Sequence, residues 1–81
     1  MQCYVYRSSR RQDTYVYLPA KDAFSNIPQA LLNVFGTPEF ALEFVLSPDR
    51  RLAREDPSQV LANLKSQGFH LQMPPENDRP A

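Results

Sequence analysis

The chain holds one cysteine and one histidine, Cys3 and His70, and these two residues bound the covalent chemistry open to it. A Cys/His or Ser/His/Asp mechanism needs a base that an acid holds in orientation, and His70 is the only imidazole available. Cys3 and His70 could meet across a sheet, but the sequence places no evident acid with them. They are read as a buried thiol and a surface imidazole. One histidine and one cysteine also fall short of the three or four ligands of a zinc-type site, so neither a metal nor a cofactor is expected. Two carboxylate pairs, Glu39/Glu43 and Glu55/Asp56, have a spacing that general acid–base work could use. Asp56, however, reads as a helix cap and Glu55 as a charge beside the same helix's positive end. Both glycines, Gly36 and Gly68, read as helix stops, which leaves no glycine loop to cradle a phosphate. The chain is therefore not expected to be an enzyme.

Recognition is the remaining chemistry. Arg7, Arg10 and Arg11 lie beside Tyr15 and Tyr17 in one part of the chain, and Arg50, Arg51 and Arg54 cluster in another. Arginines among tyrosines can hold a protein partner. They can also hold single-stranded RNA, with bases stacked on aromatic rings and phosphates on guanidinium groups. Nine basic residues balance nine acidic ones, so no global field attracts nucleic acid or an anionic membrane. That balance favours a protein partner contacted through the basic tip and a sheet edge. RNA, bound directly or in support of a ribonuclease, is the alternative.

Eighty-one residues, 42% of them hydrophobic, suffice for one domain and one core. No run of about 18 apolar residues could span a membrane, and the opening residues do not form a signal peptide. A single cysteine suits a reducing compartment. A cytosolic location is expected.

The elements that must position these residues begin with a hairpin. Tyr4-Val5-Tyr6 and Tyr15-Val16-Tyr17 flank the polar tip Ser8–Asp13. Pairing in which opposed positions sum to 21 places all four tyrosines on one face, and Cys3, Val5, Val16 and Leu18 on the other. Pro19 ends the second strand, and Ala20–Phe24 suits one helical turn. Pro28 and Gly36 bracket a largely buried helix over 28–35, expected on the Val5/Val16 face. Phe40–Leu46 reads as an interior strand, with Phe40, Leu42, Phe44 and Leu46 on one face. Ser47-Pro48-Asp49-Arg50 is a type I turn, and a short returning strand would run over 51–54. Asp56-Pro57-Ser58-Gln59 is a variant capping box that opens a helix over 57–67. Phe69–Met73 should lie extended on the domain, and 76–81 should be a disordered tail. The expected architecture is α+β, a mainly antiparallel four-stranded sheet with helices on its faces in the order ββαββα, followed by an extended C-terminal segment.

The chain also resembles the YcgL-like domain of gammaproteobacterial proteins. The likeness lies in Cys3-Tyr4-Val5-Tyr6-Arg7-Ser8-Ser9, in Thr14-Tyr15-Val16-Tyr17, and in Asp22-x-Phe24 with Pro28, Leu31 and Phe35-Gly36. It continues in Arg51-Leu52-Ala53 and in Gly68-Phe69-His70-Leu71-Gln72-Met73-Pro74-Pro75. The resemblance implies a compact α/β/α sandwich over residues 1–75, with helices on both sheet faces. It brings no enzymatic activity and no functional residue.

Overall fold

The computed structural model describes residues 1–52 and 55–74. Strand β1 (Gln2–Arg7) pairs antiparallel with β2 (Tyr15–Leu18). A one-turn 3-10 helix (Phe24–Asn26) leads to helix α1 (Gln29–Phe35), strand β3 (Glu39–Val45), helix α2 (Pro57–Ser66) and strand β4 (His70–Gln72). The four strands form one antiparallel sheet in the order β3-β1-β2-β4. The α+β class with helices on both faces is as expected, but the element order differs. Arg51 and Leu52 are not in a strand, and the rest of the expected returning strand, Ala53 and Arg54, lies outside the described residues, as does the tail 76–81. The fourth strand is instead the C-terminal segment, which pairs with β2.

The hairpin register is one residue away from the expected one. Val5 lies opposite Tyr17 and Tyr6 opposite Val16, so opposed positions sum to 22. Because side chains alternate along a strand, this slip turns β2 over relative to β1 and divides the tyrosines between the two faces. One face carries Tyr4, Tyr6, Val16 and Leu18, and packs with Ile27, Phe35 and the half-buried Leu31 and Leu32. The other carries Cys3, Val5, Tyr15 and Tyr17, and packs with Leu46, Val60 and Leu64. Thus α1 covers the Tyr6/Val16 face and α2 covers the Cys3/Val5 face. Neither face of the hairpin is a tyrosine ladder.

The slip originates at Ser8. This residue is buried, its hydroxyl donates to the Phe35 carbonyl at 2.6 Å, and the same oxygen accepts the N–H groups of Arg10 (3.1 Å) and Arg11 (2.8 Å). Its own N–H donates to the Thr14 carbonyl at 2.9 Å. Ser8 and Thr14 therefore close a five-residue tip in place of the six-residue tip expected, and Asp13 enters left-handed backbone at φ 57° to make it. The change of parity follows from that one added pair.

Strand β3 is an edge, not an interior strand. Its apolar residues on both sides suggested burial, yet Phe40, Leu42 and Val45 are each about half exposed or more. A bulge explains the split of its faces: Leu42 lies opposite Val5, but Phe40 lies opposite Tyr6. Ala41 is the extra residue, and it rotates Phe40 to the α1 side, where its ring meets Tyr6 edge-on at 5.6 Å. The chain start closes this edge's far end, with Met1 and Leu46 exchanging two backbone bonds of 2.8 and 2.7 Å.

Candidate functional site

The sequence singled out eight residues, and the fold separates them into distinct places. Arg7 projects from β1 toward Glu39 of β3, at 3.4 Å across the strands and exposed to solvent. Arg10 and Arg11 are exposed on the hairpin tip. Arg50 and Arg51 are exposed beyond the turn that Arg50 N–H closes on the Ser47 carbonyl at 3.0 Å. Arg54 lies outside the described residues. Tyr17 is buried in the core, and Tyr15 is half-buried beside it.

The tip does not wave free. Ser8 and Arg10 both donate to the Phe35 carbonyl, so the tip satisfies the last turn of α1. Gly36, at φ 82°, ends that helix where the tip crosses it. A groove of about 650 Å³ results, walled by Arg10 and Arg11 on one side and floored by Asn33, Val34 and Met73 on the other. Thr14, Gln12 and Pro74 complete it. Among the described residues no acidic side chain lines it, and neither arginine forms a salt bridge. Val34 and Met73 stay 45% and 51% exposed, so the floor offers apolar surface beside the two charges. Sequence reasoning found the arginines but not this floor. It took α1 as largely buried, whereas Val34 faces away from the sheet; an α-helix apolar over more than half its circumference was the available sign.

Arg50 and Arg51 belong to the opposite face. With Leu52 they lean over the uncovered part of the α2 side of the sheet, and enclose a pocket of about 320 Å³ with Val5, Leu42 and Phe44. The Arg50 guanidinium sits 4.6 Å from the centre of the Phe44 ring, a cation–π contact that holds it over the sheet. Tyr15, Tyr17 and Gln72 form the remaining wall.

His70 is not the surface imidazole expected from its extended segment. It is 7% exposed, between Glu55 Oε1 at 2.7 Å from Nε2 and Asn63 Nδ2 at 2.9 Å from Nδ1. Asn63 Oδ1 accepts from Gln59 at 3.3 Å, which leaves its amide nitrogen to donate to Nδ1 and places the imidazole proton of the neutral ring on Nε2, facing Glu55. Gln59 is thereby diverted from the capping box, and Asp56 alone caps α2, its Oδ1 accepting from Ser58 N–H at 3.0 Å. Glu55 is spent on His70 rather than on the helix end.

The neighbouring hydroxyl and thiol are held protonated. Burial pushes the Tyr17 phenol up to about 12, with the Glu55 charge adding to it, and Tyr17 donates to Gln72 Oε1 at 2.6 Å. Burial likewise pushes the Cys3 thiol up to about 11, against the opposing pull of the N-terminal ammonium. Neither is poised as a nucleophile at neutral pH.

The chain matches the YcgL domain over residues 3–75. It belongs to the YcgL-domain family. A YcgL domain-containing protein of Thioalkalivibrio sulfidiphilus is 64% identical over 80 residues, 99% of each chain. Another from Azotobacter vinelandii is 54% identical over 76 residues, 94% of this chain and 78% of its own. A third, from Stutzerimonas stutzeri, is 50% identical over the same span and coverage. The YcgL match takes in the hairpin, both helices and β4, and hence both arginine-lined surfaces up to Pro74.

Proposed function

We propose that this YcgL domain is a non-catalytic cytosolic binding module that holds a protein partner at the hairpin-tip groove, with contacts continuing along the adjoining edge of the sheet at β4. The observation that carries this reading is the groove itself, in which Arg10 and Arg11 stand over the exposed Val34 and Met73 and, among the described residues, no acid lines the space and neither arginine forms a salt bridge. Such a surface suits a partner segment in which acidic residues alternate with apolar anchors, since complementary charge speeds encounter and apolar contact slows release. The cytosolic setting agrees with a lone, buried, protonated thiol. Among the described residues no helix is long and apolar enough to cross a membrane.

RNA is the competing partner. Stacking bases needs exposed aromatic faces, and the tip groove has no aromatic residue in its lining. Tyr6 and Tyr17 are committed to the core. The protein reading is the better fit to this groove.

Affinity capture from an extract of a gammaproteobacterium, with and without ribonuclease, separates the two. A stoichiometric protein that survives ribonuclease and is identified by mass spectrometry is the expected result. Recovery that disappears with ribonuclease would overturn the protein reading in favour of RNA.

A further inference from the structure

The pocket under Arg50 is the second surface of note, and it is independent of the tip groove because it opens on the opposite face of the sheet. Its polar wall has an unusual uniformity. Arg50 and Arg51 carry only N–H donors. Gln72 has its carbonyl oxygen occupied by the Tyr17 hydroxyl at 2.6 Å, so what it offers a ligand is its NH2. Tyr15 adds a hydroxyl, and among the described residues no carboxylate lines the space. A wall of donors with two positive charges selects an anion. The floor, Val5, Leu42 and Phe44, is apolar and part of the sheet, so it selects against a bare, fully hydrated ion. The Arg50 guanidinium already lies over the Phe44 ring, 4.6 Å from its centre. A guanidinium so placed presents a planar face for stacking and a fork for two oxygens.

We propose that this pocket binds a small anion in which one aromatic ring system is linked to a single carboxylate or phosphate, with the ring beside Phe44 and Arg50 and the charge on Arg50, Arg51 and the Gln72 amide. The volume of about 320 Å³ lies at the small end of ligand sites, room for a single ring system and its anionic group. Two sources share this chemistry, aromatic carboxylates and nucleoside monophosphates.

Amide chemical shifts of the full chain, recorded during titration with phenylpyruvate and with adenosine 5′-monophosphate, test the assignment. Adenosine and inorganic phosphate serve as half-ligand controls. Saturable shifts centred on Tyr15, Phe44, Arg50–Leu52 and Gln72 are expected with at least one of the two anions, and whichever saturates identifies the source. Arg51→Gln, on an exposed side chain, should weaken binding about tenfold while leaving the melting midpoint in place, as loss of one charge-assisted hydrogen bond implies. Arg11→Gln on the other face should leave it unchanged. Shifts that stay linear through the millimolar range for both anions would overturn the proposal. So would binding that Arg51→Gln leaves intact, or shifts that centre on Arg10 and Arg11.

Discussion

Glu55 Oε1 lies 2.7 Å from His70 Nε2 and so ties the residue before the N-cap of α2 to β4, an edge strand of the sheet. Both partners are largely withdrawn from water, with side chains 19% and 9% exposed. Glu55→Ala would leave a mostly buried N–H donor without its acceptor, and is expected to lower stability by about 1–3 kcal/mol. Urea denaturation checks it. An unchanged midpoint would mean that His70 faces water in solution.

Asp56→Ala removes the side-chain cap of α2, and should lower stability by about 0.5–2 kcal/mol. Gln59→Ala gives the contrasting result, because Gln59 bonds Asn63 on the helix surface rather than the N-cap backbone. Its effect should stay within about 0.5 kcal/mol. Comparable losses in the two variants would show that the reciprocal capping box closes after all.

These two neighbourhoods show what the sequence could and could not convey. Asp56-Pro57 announces its helix because cap chemistry is local, and the run to Gly68 carries the period of a buried stripe. The burial of Cys3 was legible for a similar reason, as it shares a face with Val5 whatever β1 pairs with. The tyrosines were not legible. Either parity of the tip yields plausible cross-strand pairs, and the choice rests on Ser8 reaching the Phe35 carbonyl 27 residues away. The edge position of β3 and the pairing of β4 with β2 are likewise decided by distant segments. For the same reason Glu55 and His70, 15 residues apart, gave no sign of contact.

Alkaline pH should destabilise the fold in a defined window. Cys3 and Tyr17 rise from ordinary values of 9.0 and 10.0 to about 11 and about 12 in the folded chain. The unfolded chain therefore loses these protons first, and above pH 9 it binds fewer protons than the folded one. Stability is unaffected by these groups below that pH and then falls, by at most about 1.4 kcal/mol per pH unit for each group in its own window. Denaturation at successive pH values measures the slope. Cys3→Ala should reduce the slope between pH 9 and 11, most clearly below pH 10 where Tyr17 does not yet contribute, and a wild-type curve that is flat between pH 9 and 10 would contradict the burial of the thiol.

Gly36→Ala joins stability to recognition. At φ 82° a side chain is strained, and a Cβ there would run into Ser9 Oγ and the Arg10 side chain. A loss of about 1–2 kcal/mol is expected, together with movement of the tip away from α1. Amide shifts that change across Ser8–Arg11 but not in α2 would establish the coupling.

The tip charges provide the closing measurement. Arg10 and Arg11 contribute exposed guanidinium groups to the groove while their backbone anchors the tip. Arg10→Glu with Arg11→Glu reverses the groove's charge and leaves those backbone bonds intact. The melting midpoint should therefore stay within a few degrees of wild type. Affinity for the captured protein partner, measured by surface plasmon resonance at two salt concentrations, should fall at least about tenfold, mainly through slower association, and its salt dependence should change sign, because added salt screens attraction in the wild type and repulsion in the variant. A folded double variant that binds that partner with wild-type affinity and the same salt dependence would contradict the tip groove as the docking site.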